Sequence, residues 1–183
     1  YPFKFRNKCE PKLFWVRSFH RTYNPILAIK VLSKLISSFP NASLCMVGPE
    51  KDETMKNCKR LANKLGIADH IRFMGLMKKE DWIYLSKNYD IFLNTTNYDN
   101  QPVSILEAMA LGFPIVSTNV GGLSALLENN ENAILVKKDD VEGMLNAIEE
   151  IILNENKSKM LSMNVREYAE NFDWQNIKNT WLS

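Results

Sequence analysis

Six short apolar runs recur along the chain, at 13–17, 43–47, 71–74, 90–94, 114–117 and 133–136. Between them lie longer stretches whose apolar residues repeat at helical spacing. This alternation limits the fold more than any other feature. Strands joined by helical crossovers pair in parallel, and a parallel sheet needs helices over both faces. The predicted fold class is α/β: a doubly wound, six-stranded parallel Rossmann-like sheet with right-handed crossovers and extra C-terminal helices. Such sheets hold ligands at the carboxyl ends of their strands. The loops starting at Arg17, Gly48, Gly75, Asn94 and Thr118 are therefore the ones expected to carry function.

Local signals place the helices. Asn24 reads as an N-cap and Pro25 as the first helical residue. Ile26, Ile29, Leu32, Leu35 and Ile36 follow on one face, and Phe39-Pro40-Asn41 breaks the run. Met55, Cys58, Leu61, Ala62 and Leu65 mark a second helix, stopped at Gly66. Further helices are predicted over 79–87, 102–111, 121–127, 141–153 and 157–170, and from Trp174 onward. At about 150 residues per domain, 183 residues make one sizeable domain, taken as 13–183. The chain opens on Tyr1-Pro2-Phe3-Lys4 without Met, so residues 1–12 read as a linker from a missing N-terminal domain.

Composition excludes several functions. Twenty-three Lys and Arg against 21 Asp and Glu leave a net charge of +2, with no dense basic stripe, which argues against nucleic acid as a partner. Cys9, Cys45 and Cys58 form no CxxC and read as buried thiols in a reducing compartment. His20 and His70 join no Cys/His cluster, so no metal is expected. No apolar run approaches the roughly 18 residues of a membrane helix. Neither GxGxxG nor GxxxxGK[ST] is present, which disfavours a nicotinamide enzyme.

The informative stretch runs from Asp99 through Glu107 to Gly112-Phe113-Pro114. Asp99 falls in the loop after the fourth strand and Glu107 inside the helix that follows. Helical side chains lean toward the N-terminus, so Glu107 is expected to face the same mouth as Asp99. The unpaired N–H groups of that helix start suit a phosphate. Two carboxylates beside an anion cradle fit a sugar nucleotide. The same residues also admit a plain reading: Ser104-x-x-Glu107 matches a capping box, and Asp99-Asn100 are ordinary turn residues.

Beyond these patterns, 13–174 resembles the C-terminal domain of family 4 (group 1) glycosyltransferases of the GT-B fold. The matching landmarks come in order: Leu44-Cys45-Met46-Val47-Gly48, Phe73-Met74-Gly75, Asp90-Ile91-Phe92-Leu93 and Asp99-x7-Glu107-Ala108-Met109-Ala110. Gly112-Phe113-Pro114-Ile115-Val116-Ser117-Thr118, Val120-Gly121-Gly122, Asn132-Ala133-Ile134-Leu135-Val136 and Phe172-Asp173-Trp174 complete the set. The resemblance implies the donor-binding half of a retaining enzyme that moves a sugar from a nucleoside-diphosphate sugar to a sugar or lipid-linked acceptor. No metal or cofactor is implied. It places the full enzyme in the cytoplasm or at the inner face of the membrane, and leaves this part inactive alone.

Residue by residue, Glu107 matches the acid on the ribose hydroxyls and Asp99 the acid near the transferred sugar. Gln101, Pro102, Val103 and Ser104 match the diphosphate cradle, and Gly75 and Met77 the flank of the base. The pattern departs in places. Asp99 replaces a Glu, Asn100-Gln101-Pro102 replaces a Gly-x-Gly, and Arg17-Ser18 stands where Gly-Arg is usual. The expected Lys falls near Tyr23, so Arg17 or Arg21 must supply the cation for the departing diphosphate. Two alternatives follow: a non-catalytic glycosyltransferase-like binding module, or a GT-B-type nucleotide-sugar epimerase.

Overall fold

A computed structural model describes residues 1–100 and 103–171. Among them, six strands form one parallel sheet: β1 (Lys12–Val16), β2 (Ser43–Val47), β3 (Ile71–Gly75), β4 (Ile91–Asn94), β5 (Ile115–Thr118) and β6 (Ile134–Val136). The helices are α1 (Pro25–Ser38), α2 (Thr54–Lys64), α3 (Lys79–Ser86), α4 (Val103–Ala110), α5 (Val141–Leu153) and α6 (Glu155–Asn171). The strand order is β3-β2-β1-β4-β5-β6. Every pairing is parallel, with Phe14 beside Cys45 on one side and Phe92 on the other. The order reverses between β1 and β4, so the loops leaving these strands diverge and open a crevice.

The fold class is the predicted one, and each strand lies within one residue of its predicted span. Alternation along β1 explains why both faces are covered. Leu13 and Trp15 pack with α1, α2 and α5, while Phe14 turns to the opposite face and packs with α3 and α4. Phe14 stacks on Tyr89 at 5.2 Å and on Phe113 at 5.8 Å. Truncating so central a ring costs about 3–5 kcal/mol.

Several local predictions change. Asn24 stands before α1, but it adopts φ +46° and makes no side-chain bond to the helix. Its Nδ2 donates to Asp139 Oδ1 at 2.8 Å instead. The predicted 121–127 helix is a 3-10 helix over Gly121–Ala125, and α6 starts two residues early at Glu155. The helix predicted from Trp174 and the Phe172-Asp173-Trp174 landmark lie outside the described residues.

The first eleven residues hold no helix or strand, yet they lie against the body. Arg6 is 2% exposed, with its guanidinium 3.5 Å from the centre of the Phe113 ring. It donates to the carbonyls of Leu111, Lys4 and Tyr89. Burial pulls its pKa down to about 10. The Arg6 N–H donates to Ser162 Oγ, and Ser158 Oγ donates to the Arg6 carbonyl, so α6 clasps this strap.

Candidate functional site

A crevice at the carboxyl ends of β1 and β2, walled also by the segment after β3 and by α3 and α4, holds a cavity of about 250 Å³. Arg17, the first residue past β1, forms one wall, and Ser104, in the first turn of α4, forms another. Gly48, Met77, Trp82 and Tyr23 close the remainder. Gly48 sits at φ +147°, and a Cβ there would overlap the Arg17 carbonyl. Its glycine character is thus explained by the close approach of the β1 exit.

Arg17 is the central charge. Its guanidinium lies 4.9 Å from the Tyr23 ring centre, and its terminal nitrogen donates to Asp99 Oδ2. The pair spans the reversal point: Arg17 comes from the end of β1, Asp99 from the loop after β4. Both side chains are largely buried, at 16% and 11% exposure. Two donors of cavity-lining residues, Arg17 Nε and Ser104 Oγ, are buried with no partner. Buried polar atoms are nearly always paired, and each one stranded costs about 1–3 kcal/mol. Two stranded donors of residues lining one cavity, one of them cationic, suit an anionic acceptor.

Glu107 lies one turn along α4 from Ser104 and is engaged by other partners. Its Oε1 accepts from the Tyr1 hydroxyl at 2.8 Å and pairs with Lys79 Nζ at 3.0 Å. Together with Tyr1, Val103, Leu106, Ala110 and Arg166 it lines a second cavity of about 350 Å³. The expectation that Asp99 and Glu107 share one mouth is not met by a shared cavity: Glu107 lines the second cavity and Asp99 lines neither. Asp99 pairs with Arg17 at the crevice wall, and Lys79, in the first turn of α3, pairs with Glu107. The capping box is also absent in its expected form, because Ser104 is the second residue of α4 and not its cap. Burial raises the Tyr1 phenol pKa, and the hydrogen bond to Tyr1, then that to Glu107, raises Lys79.

The other sequence candidates divide. Met77 and Leu76 line the crevice, whereas Gly75 ends β3 and its carbonyl accepts from the Gly48 N–H. Val103 is 61% exposed and belongs to the second cavity. Arg21 is exposed and is not among the described residues lining the crevice. Gln101 and Pro102 lie outside the described residues. His20 Nδ1 accepts from the Thr22 N–H, and His70 Nδ1 bonds the Ala42 carbonyl, so both take local structural roles. Cys9, Cys45 and Cys58 are all buried free thiols.

Three contributors were missed in the sequence. Tyr23 supports the guanidinium of Arg17, and Tyr1 and Lys79 hold Glu107. Tyr23 carried a faint signal, as an aromatic residue in the loop after the first strand. Lys79 read only as an exposed helix start, and Tyr1 only as linker.

Comparison with known proteins decides the family. The model of the group 1 glycosyl transferases matches residues 2–168. The chain belongs to the group 1 glycosyl transferases. Among relatives of this glycosyltransferase domain, an uncharacterized glycosyltransferase of Haemophilus influenzae is 29% identical over 154 residues, covering 84% of this chain and 42% of that one. A D-inositol 3-phosphate glycosyltransferase of Corynebacterium urealyticum is 23% identical over 167 residues, covering 88% and 39%. The chain thus spans less than half the length of either relative. Anabaena Alr3699/HepE, solved with UDP and glucose, superposes with a TM-score of 0.83 at 22% identity, covering 93% of this chain and 48% of that one. The fold is that of GT-B glycosyltransferases. Among the described residues, no helix is long and apolar enough to cross a membrane.

Proposed function

We propose that this domain binds the nucleoside-diphosphate sugar of a retaining glycosyltransferase, with the acceptor site on a preceding domain. The two stranded donors, Arg17 Nε and Ser104 Oγ, carry this reading. The diphosphate accepts from both, and Arg17 offsets the charge that develops as it leaves. Glu107 accepts from the ribose hydroxyls once Tyr1 and Lys79 yield a lone pair to them. Asp99, paired with Arg17, stands by the transferred sugar. Met77 and Leu76 flank the base.

A second reading has one observation in its favour. Arg17 is the one cation among the described residues lining the crevice, and Tyr23 occupies the region where the pattern calls for a lysine. A binding module without transfer activity fits that shortage of charge. Calorimetric titration with UDP, GDP and ADP, repeated on Glu107→Ala, tests donor binding. Saturable binding of one nucleotide, weakened by the substitution, supports a donor site. An equal response to all three, indifferent to Glu107, reduces the site to a generic anion pocket. Sugar transfer by a longer protein then separates an enzyme from a module, and retention or inversion at the anomeric carbon checks the stereochemistry.

A further inference from the structure

The loop that carries Asp99 is gripped by the segment from Thr118 to Gly122. Thr118 Oγ1 donates to the Thr96 carbonyl at 2.6 Å, and the Gly122 N–H donates to the Asp99 carbonyl at 2.9 Å. The grip is closest at Gly121 and Gly122. Gly121 has φ +58°, and a Cβ there would overlap the Asp99 carbonyl oxygen. A Cβ on Gly122 would stand 2.8 Å from the Asn100 carbonyl oxygen, closer than such contacts allow.

A tight turn explains only half of this. Gly121 opens the 3-10 helix in a left-handed conformation that favours glycine. Gly122 has no such conformation to justify it. What excludes a side chain at Gly122 is the approach of the Asn100 backbone. That backbone continues from Asp99, whose carboxylate holds Arg17. A line of direct contacts therefore runs from Gly121-Gly122 through Asp99 to the guanidinium at the crevice wall.

We infer that Gly121 and Gly122 are positioning residues for the anion site, acting through Asp99 on Arg17. This rests on the donor-site reading above and adds to it how the acid is set in place. Their absent side chains let the two backbones close, and this closure fixes where the Asp99 carboxylate meets Arg17. Added bulk at either position lifts the Asp99 loop away and releases the guanidinium.

A double-mutant cycle on the whole chain tests this, read as the dissociation constant of whichever of UDP, GDP and ADP binds best. Gly122→Ala changes that constant at least about threefold, in the same direction as Asp99→Ala, and by less than about 1.5-fold when Asp99→Ala is already present. A purely structural glycine would act equally in both backgrounds. Gly121→Ala is the stronger perturbation. If it does not fold, Gly122→Ala, which needs no left-handed backbone, carries the test. A folded Gly122→Ala with unchanged affinity, or an effect that persists without Asp99, overturns the inference. If the wild type binds none of the three nucleotides, or Arg17→Ala leaves binding unchanged, the donor-site reading itself fails and the inference with it.

Discussion

Replacing Arg17 by Ala separates two consequences of one side chain. In the protein, Arg17 and Asp99 pair at 16% and 11% exposure. Removing one member of a fully buried pair costs about 3–5 kcal/mol, because the remaining charge is stranded. Partial exposure reduces that to about 1–3 kcal/mol. For a chain of this size, each kcal/mol lowers Tm by about 2–4 °C, so Arg17→Ala is expected to melt about 2–12 °C lower. Arg17→Ala with Asp99→Asn removes the stranded carboxylate and recovers at least half of the loss. Nucleotide affinity behaves differently. Losing charge-assisted bonds of about 1.5–3 kcal/mol weakens a nucleoside diphosphate by about 10- to 150-fold, and the second substitution does not restore it. Differential scanning calorimetry and isothermal titration on the three proteins read both effects. An Arg17→Ala protein with unaltered melting and unaltered affinity would refute the reasoning.

Tyr1→Phe removes a competitor for Glu107 Oε1, so nucleotide affinity is expected to rise about two- to fivefold, the worth of one modest hydrogen bond; a fall would mean Tyr1 assists the ligand. Arg6→Met strands the carbonyls of Leu111 and Tyr89, which Arg6 now serves, and is expected to lower stability by about 2–4 kcal/mol in urea unfolding. Burial pushes the Cys9 thiol up to about 11 and the Cys58 thiol up to about 12, against an ordinary value of 9.0. The unfolded thiols ionise first, so their contribution to stability is full below pH 9 and is lost as pH rises through 11 and 12. Urea titrations across that range check the slope, and a thiol reagent at pH 8 is expected to label the native chain only as fast as it opens.

The sheet was legible because strand burial is written locally. Phe14 and Trp15 alternate between faces, and each strand is flanked by turn residues that any reader of the chain can see. The alternation also predicted function in the loops at the carboxyl ends of the strands, and Arg17 and Asp99, from two of those loops, pair there. What failed was set by distant partners. Asn24 takes the N-cap position of α1 as predicted, but its side-chain amide goes to Asp139 and not to the helix. Residues 1–12 read only as a linker, since nothing near Arg6 in sequence announces Phe113 or the Leu111 carbonyl. Glu107 was read correctly as helical, yet its direction depends on Lys79 and Tyr1, from segments 28 and 106 positions away. The Gly121-Gly122 pair was visible as part of the Val120-Gly121-Gly122 landmark. Only the contact with Asp99 and Asn100 shows what the pair accommodates.

The most direct test of donor binding at the reversal point is a crystal structure of this chain grown with the nucleotide it binds best. The expected result has diphosphate oxygens within hydrogen-bond reach of Arg17 Nε and Ser104 Oγ, the ribose hydroxyls on Glu107, and Tyr1 displaced. A nucleotide lodged elsewhere, with Arg17 Nε and Ser104 Oγ still unpartnered, would contradict it.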